Sequence, residues 1–104
     1  MFICQWHLDL VYGKQADAVR IMAAWGKEAM ASSEFRRAKA TRLMCGHLGK
    51  SPSHLVVEHA FENLADFELA LQSMAQPQFK ALSDALAPFV APGSQHWEIL
   101  KTLD

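Results

Sequence analysis

From Phe2 to Val11 the chain alternates: Phe2, Cys4, Trp6, Leu8 and Leu10 fall on one face of an extended backbone, and Ile3, Gln5, His7 and Asp9 fall on the other. A period of two with one wholly apolar face belongs to a β-strand that must be covered on that side. The rest of the 104 residues has to supply the cover, and a chain of this length encloses a single core, so residues 1–104 read as one domain. A 51% hydrophobic and 20% charged composition excludes a disordered or low-complexity chain.

After Tyr12-Gly13-Lys14, the positions of Ala18, Met22, Trp25 and Ala29 give an apolar helical stripe from about Lys14 to Ser32. Gly26 inside it costs about 1 kcal/mol against alanine and is expected to permit a close helix approach. A second extended stretch, Lys39 to Leu48, sets Thr41, Leu43, Cys45 and His47 opposite Arg42, Met44 and Leu48. The turn formers Gly49-Lys50-Ser51-Pro52-Ser53 join it in a hairpin to a third strand, His54 to Glu62, which carries Leu55, Val57, His59 and Phe61 on one face. Asn63 caps a helix from 64 to about 75 with a Leu64, Phe67, Leu71 and Met74 stripe, and Pro77 opens another that stops before Pro88. The last strand, Gln95 to Leu103, sets Trp97 and Ile99 against His96, Glu98 and Leu100.

The resulting βαββαβ order predicts an α+β ferredoxin-like sandwich, a four-stranded antiparallel sheet in spatial order 4-1-3-2 with its helices on one face. The other face is expected to carry Ile3, Val11, Met44, Leu48, Val56 and Leu100 among Gln5, His7, Arg42, Glu58 and Glu98. That surface is too apolar for water and too polar for a dry core, so a second copy of the chain is expected to cover it in a homodimer. Ten basic against eleven acidic residues leave no general positive field for nucleic acid or an anionic membrane, and neither is expected as a partner. No run approaches about 20 apolar residues, and Gln5, His7 and Asp9 interrupt the start where a leader would be unbroken. A cytoplasmic protein is expected.

Five histidines raise the question of a metal, yet no H-x-x-x-H, C-x-x-C or H-E-x-x-H spacing occurs, and no metal is expected. Cys4 and Cys45 fall on strands with another between them, about 9.6 Å apart at the closest against the roughly 7 Å a disulfide tolerates, so both are expected as buried free thiols. No glycine-rich phosphate loop or dinucleotide fingerprint is present, and no cofactor is expected. His59 interrupts the helix-facing row and should point beneath Trp25, near Trp6 and Trp97. There it is either a general base and ligand contact or a core histidine bonded to a backbone carbonyl. Trp6, Trp25, Phe61 and Trp97 are either the walls of an aromatic-binding cleft or simply core. On the opposite face His7 and Glu58, with Glu98, His96 and Arg42, either do acid/base work or form a salt-bridged lining that fixes dimer register. Arg36, Arg37, Lys39 and Arg42 are either a carboxylate clamp or a solvated run.

The segments His54-Leu-Val-Val-Glu-His-Ala-Phe-Glu-Asn-Leu-Ala-Asp-Phe-Glu, Gln76-Pro-Gln-Phe-Lys-Ala-Leu and Ala87-Pro-Phe-Val resemble the dimeric α/β-barrel superfamily, which includes NIPSNAP-like proteins, antibiotic-biosynthesis monooxygenases and haem-degrading monooxygenases. The resemblance implies two sheets facing each other in a dimer and, in catalytic members, a pocket between helices and sheet. The haem-degrading members' Asn, Trp and axial His fall on Trp6, Phe61 and Ser83, and the loss of the imidazole at Ser83 disfavours haem. The expected function is binding of a small, partly aromatic organic molecule between sheet and helices, as in a cofactor-independent monooxygenase or isomerase. In that reading His59 moves a proton while Trp6, Trp25, Phe61 and Trp97 hold the substrate. The alternative is a non-catalytic NIPSNAP-like binding or structural dimer with no open pocket.

Overall fold

The computed structural model describes residues 1–103. Four strands, β1 (Phe2–Asp9), β2 (Ala40–Cys45), β3 (His54–Phe61) and β4 (His96–Lys101), alternate with helices α1 (Gln15–Ser32), α2 (Leu64–Ser73) and α3 (Pro77–Leu86) in the expected βαββαβ order. The sheet runs β2-β3-β1-β4 with every neighbouring pair antiparallel, the 4-1-3-2 arrangement.

Local chemistry sets the element ends. Ser33 leaves the α1 helical conformation, and its Oγ accepts from Phe35 N at 3.1 Å to start a 3₁₀ turn, Glu34–Arg37. Asn63 Oδ1 accepts from Asp66 N at 2.9 Å and caps α2, while Pro77 opens α3 where its missing N–H costs no helical bond. β2 ends at Cys45, so His47 and Leu48 lie outside the sheet and Leu48 is 93% exposed rather than on a sheet face. The cause is Gly46, whose N–H closes the hairpin on His54 O at 2.9 Å while its Cα lies hard against the loop. A Cβ there would meet the Ser51 carbonyl and sit 2.6 Å from Lys50 O, so only glycine fits. β1 likewise ends at Asp9, which leaves Leu10 in an isolated bridge to Val90 and Val11 beyond the strand.

All three helices cover the apolar face of β1. One core pool joins Cys4 and Phe61 to Ala29, Phe35, Phe67 and Phe79, and another joins Leu8 and Leu55 to Ala18, Met22, Leu86 and Val90. The α2 stripe is rotated from the expected one: Phe67 and Ala70 are buried, while Leu64 and Leu71 are partly in solvent. No close helix approach occurs at Gly26, where an added Cβ would meet nothing within 4 Å. Cys4 and Cys45 are both free, but only Cys4 is buried; Cys45 is exposed on the edge strand. No helix among the described residues is long and apolar enough to cross a membrane.

Candidate functional site

The two core pools do not close on each other completely. Between them, under the middle of α1, a cavity of about 280 Å³ is walled by Trp6, Trp97 and Val57 from the sheet and by Trp25, Gly26 and Ala29 from the helix. Cross-strand pairing makes the aromatic floor, because Trp6 lies directly opposite both Val57 and Trp97. The Trp6 ring stacks on Trp97 at 6.4 Å and tilts against Trp25 at 5.7 Å. Met30, 51% exposed, and Leu71, 38% exposed, lie at the rim. The lining is apolar except for Thr41, His59 and Gln95, the pattern of a small-molecule site with a few orienting polar groups.

His59 stands at one end, in contact with the Phe35 ring at 4.6 Å. Its Nδ1 is 3.0 Å from Thr41 Oγ1, its cross-strand neighbour, and no backbone carbonyl among the described residues holds it. Burial holds its pKa down to about 4, against a weak opposing pull from Glu58. The imidazole is therefore neutral at pH 7, and because the Thr41 hydroxyl can donate or accept, Nε2 can present either a lone pair or an N–H.

The opposite sheet face holds a second polar system. Asp9 Oδ1 takes His54 Nδ1 at 2.7 Å, His54 Nε2 faces His7 Nδ1 at 2.9 Å, and His7 Nε2 faces Gln5 Oε1 at 3.0 Å. Gln5 Nε2 donates to Glu58 Oε1 at 2.8 Å, and Arg42 Nε donates to Glu58 Oε2 at 2.6 Å. Glu98 joins from β4, with Oε2 3.3 Å from His7 Nε2 and 2.9 Å from His96 Nε2. The Gln5 bond, aided by Arg42, holds Glu58 below the usual carboxylate range. Burial lowers His7, against the opposing charge of Glu98. The bond to Glu98 raises His96 and lowers Glu98.

The expected site residues thus divide into two places. His59, Trp6, Trp25 and Trp97 converge on the cavity. Phe61 does not line it: at 0% exposure it is sealed between Phe35 and Phe67 at the far end of β3, so it is core. His7 and Glu58 lie on the other face and do not touch; Gln5 bridges them. The basic run is occupied by Glu34, Glu62 and Glu58 rather than left as a clamp. Sequence reading missed Thr41 and Gln95 in the cavity and His54 in the network. The register of β2 against β3, which pairs Thr41 with His59, is the signal that would have found the first.

No family model matches the chain, and no curated protein is detectably similar to it. Solved structures do share its fold. A protein from Agrobacterium tumefaciens superposes with a TM-score of 0.76 at 17% identity, over 99% of this chain and 94% of that one. An uncharacterised NIPSNAP domain protein from Burkholderia xenovorans gives 0.76 at 16% identity, over 99% and 95%. A provisionally named antibiotic biosynthesis monooxygenase from Nitrosomonas europaea gives 0.73 at 12% identity, over 100% of both chains. The structural neighbours are therefore NIPSNAP and antibiotic-biosynthesis-monooxygenase-like proteins of ferredoxin-like fold, and at these identities the likeness concerns fold alone.

Proposed function

We propose that this protein binds a small, flat, partly aromatic organic molecule in the cavity between sheet and helices, with His59 as the polar contact that orients it. The observation that carries the reading is the pairing of an apolar, tryptophan-walled cavity with one imidazole whose Nε2 has no protein partner among the described residues. A volume of about 280 Å³ lies just below the roughly 300–1,000 Å³ of ordinary ligand clefts and suits a molecule of about one or two rings. Met22, Met30 and Met74 beside the tryptophans add walls that adapt to shape. The catalytic form of this reading is a cofactor-independent monooxygenase or isomerase. The pKa near 4 keeps His59 unprotonated and able to accept a substrate proton at neutral pH, though as a weak base. The non-catalytic alternative shares the ligand and lacks the proton transfer; its no-pocket form disagrees with the cavity.

A thermal-shift screen of small aromatic acids, phenols and quinones tests it. A ligand at about ten times its Kd contributes ~1.4 kcal/mol and should raise the Tm of the parent by roughly 5–10 °C. The shift should shrink in His59→Ala. If no small aromatic stabilises the parent, the reading fails.

We also propose that a second copy covers the open sheet face. Ile3, Val56 and Ala60 are only partly buried there, and Leu100 is 54% exposed, with every helix on the other side. Light scattering at micromolar concentration should give twice the 11.6 kDa of one chain. A monomer mass would refute the pairing.

A further inference from the structure

We propose that His7, His96 and Glu98 form a binding site for a divalent first-row transition metal ion on the sheet face away from the cavity. The site is complete within one chain and independent of the proposed ligand pocket, and it lies on the sheet face proposed to meet a second copy, so in that dimer the ion stands at the interface. His7 on β1 pairs directly with His96 on β4, and Glu98 follows two residues later on the same face, so sheet geometry alone delivers two imidazoles and a carboxylate to one spot. One ligand atom from each of His7, His96 and Glu98 lies within 4.8 Å of the other two. One of the three edges is already the length an ion would set, 3.3 Å from His7 to Glu98, and the 2.9 Å edge from His96 to Glu98 is a hydrogen bond that needs to lengthen only slightly. Around an ion with donors at ~2.1 Å, ligand atoms stand roughly 3.0–3.4 Å apart. The remaining edge closes by a rotation of the half-exposed His96 ring, which now stacks on His7 at 4.8 Å and bonds to Glu98 Oε2, so an ion would take the place of that bond.

The outer shell argues independently for a cation. Both ligand histidines turn Nδ1 outward to an acceptor: His7 to His54 Nε2, backed by Asp9, and His96 to Ser94 O at 3.3 Å. That is the arrangement by which proteins fix a metal-binding imidazole and raise its donor strength. Bond directions along the chain then expose a mismatch at His7. Asp9 accepts from His54 Nδ1, so a neutral His54 accepts at Nε2 from His7 Nδ1, and a neutral His7 carries a bare lone pair on Nε2. Yet that lone pair faces only oxygen acceptors. Gln5 is fixed with its amide nitrogen on the Arg42-paired Glu58 carboxylate, which turns Oε1 to His7 at 3.0 Å, and Glu98 Oε2 is 3.3 Å away. His7 Nε2 thus meets two oxygen acceptors, one of them already bonded to His96 Nε2 at 2.9 Å, and a positive species among them, either an added proton or an ion, resolves the mismatch. Two imidazoles with one carboxylate select zinc, iron, cobalt or nickel over magnesium or calcium, and three protein ligands leave a position open to water or a ligand group.

The test is titration of chelator-stripped protein at pH 7.5, with Zn²⁺ followed by calorimetry and Co²⁺ by its visible absorption. One ion per chain is expected, with no response to Mg²⁺ or Ca²⁺. His96→Ala and Glu98→Gln, both at half-exposed positions that the fold should tolerate, are expected to lose at least about tenfold in affinity, and Asp9→Asn about tenfold through the outer shell. Cys45→Ser and His47→Ala, which alter exposed donors elsewhere, should bind as the parent does. The proposal is overturned if neither ion binds at about 100 μM. It is equally overturned if binding survives in both His96→Ala and Glu98→Gln.

Discussion

A leucine at position 26 is expected to abolish ligand-induced stabilisation while leaving the protein more stable than its parent. Gly26 lies in the interior of α1, where glycine costs about 1 kcal/mol relative to a good helix former. A Cβ built there meets no atom within 4 Å, so the substitution brings no clash at its root. The backbone of Gly26 nevertheless borders the cavity beside Trp25, and a four-carbon side chain at that point takes up space a ligand would need. The two effects separate cleanly. Gly26→Ala should raise Tm by roughly 4–8 °C, the equivalent of ~1 kcal/mol in a domain of this size, with ligand response retained. Gly26→Leu should show the same gain in intrinsic stability and no response to any aromatic that shifts the parent. A leucine variant that still answers such a ligand in full would place the binding site elsewhere. The expectation also gives Gly26 a purpose that helix packing does not: no neighbouring helix comes near enough to require it.

The sequence carried the architecture further than the site. The alternation of β1, the Asn63 cap and Pro77 are local signals, each tied to one backbone conformation, and all three appear where they were expected. The placement of His59 on the helix-facing row followed from the same alternation. Periodicity, however, reports which face a side chain takes and not how deep it lies along the strand. Phe61 and His59 share a face, but Phe35 and Phe67 seal the first, while the second opens on space left between two core pools. Hairpin length was illegible for a different reason. The strand pattern continues through His47 and Leu48, and only the tight approach of Gly46 to the Lys50-Ser51 carbonyls stops β2 at Cys45. The polar face was partly legible, since the strand order brought His7, Glu58, His96, Glu98 and Arg42 into one neighbourhood. Its finer division was not. Register sets Glu58, Gln5 and Arg42 in one cross-strand row and His7 with His96 in the next, and it brings His54 beside Asp9. A search for metal spacing along one strand finds only His96 and Glu98, because the third member, His7, is their neighbour across strands.

The stability of the parent is expected to fall by about 3 kcal/mol more than that of His59→Gln between pH 7 and pH 4. In the folded chain His59 accepts a proton only near pH 4, because protonation would place a charge in the apolar space beneath α1; in the unfolded chain it does so near 6.5. The unfolded state therefore binds more protons between those values, and stability must decline as pH falls through that window. The contribution is complete above about 6.5, lost progressively down to about 4 and constant below, and the gap between the two values corresponds to about 3 kcal/mol. Glutamine keeps a polar partner for Thr41 and removes the titration, while every other ionisable group is common to both proteins and cancels in the difference. Urea unfolding at pH 7, 5.5 and 4 provides the measurement, and parallel stability curves would show that the imidazole is as well hydrated as a surface histidine. The same measurement bears on the ligand. A molecule that fills the cavity and hydrogen-bonds to neutral His59 removes the remaining water around it, so its affinity should weaken as the pH approaches 4 in the parent and stay level in His59→Gln.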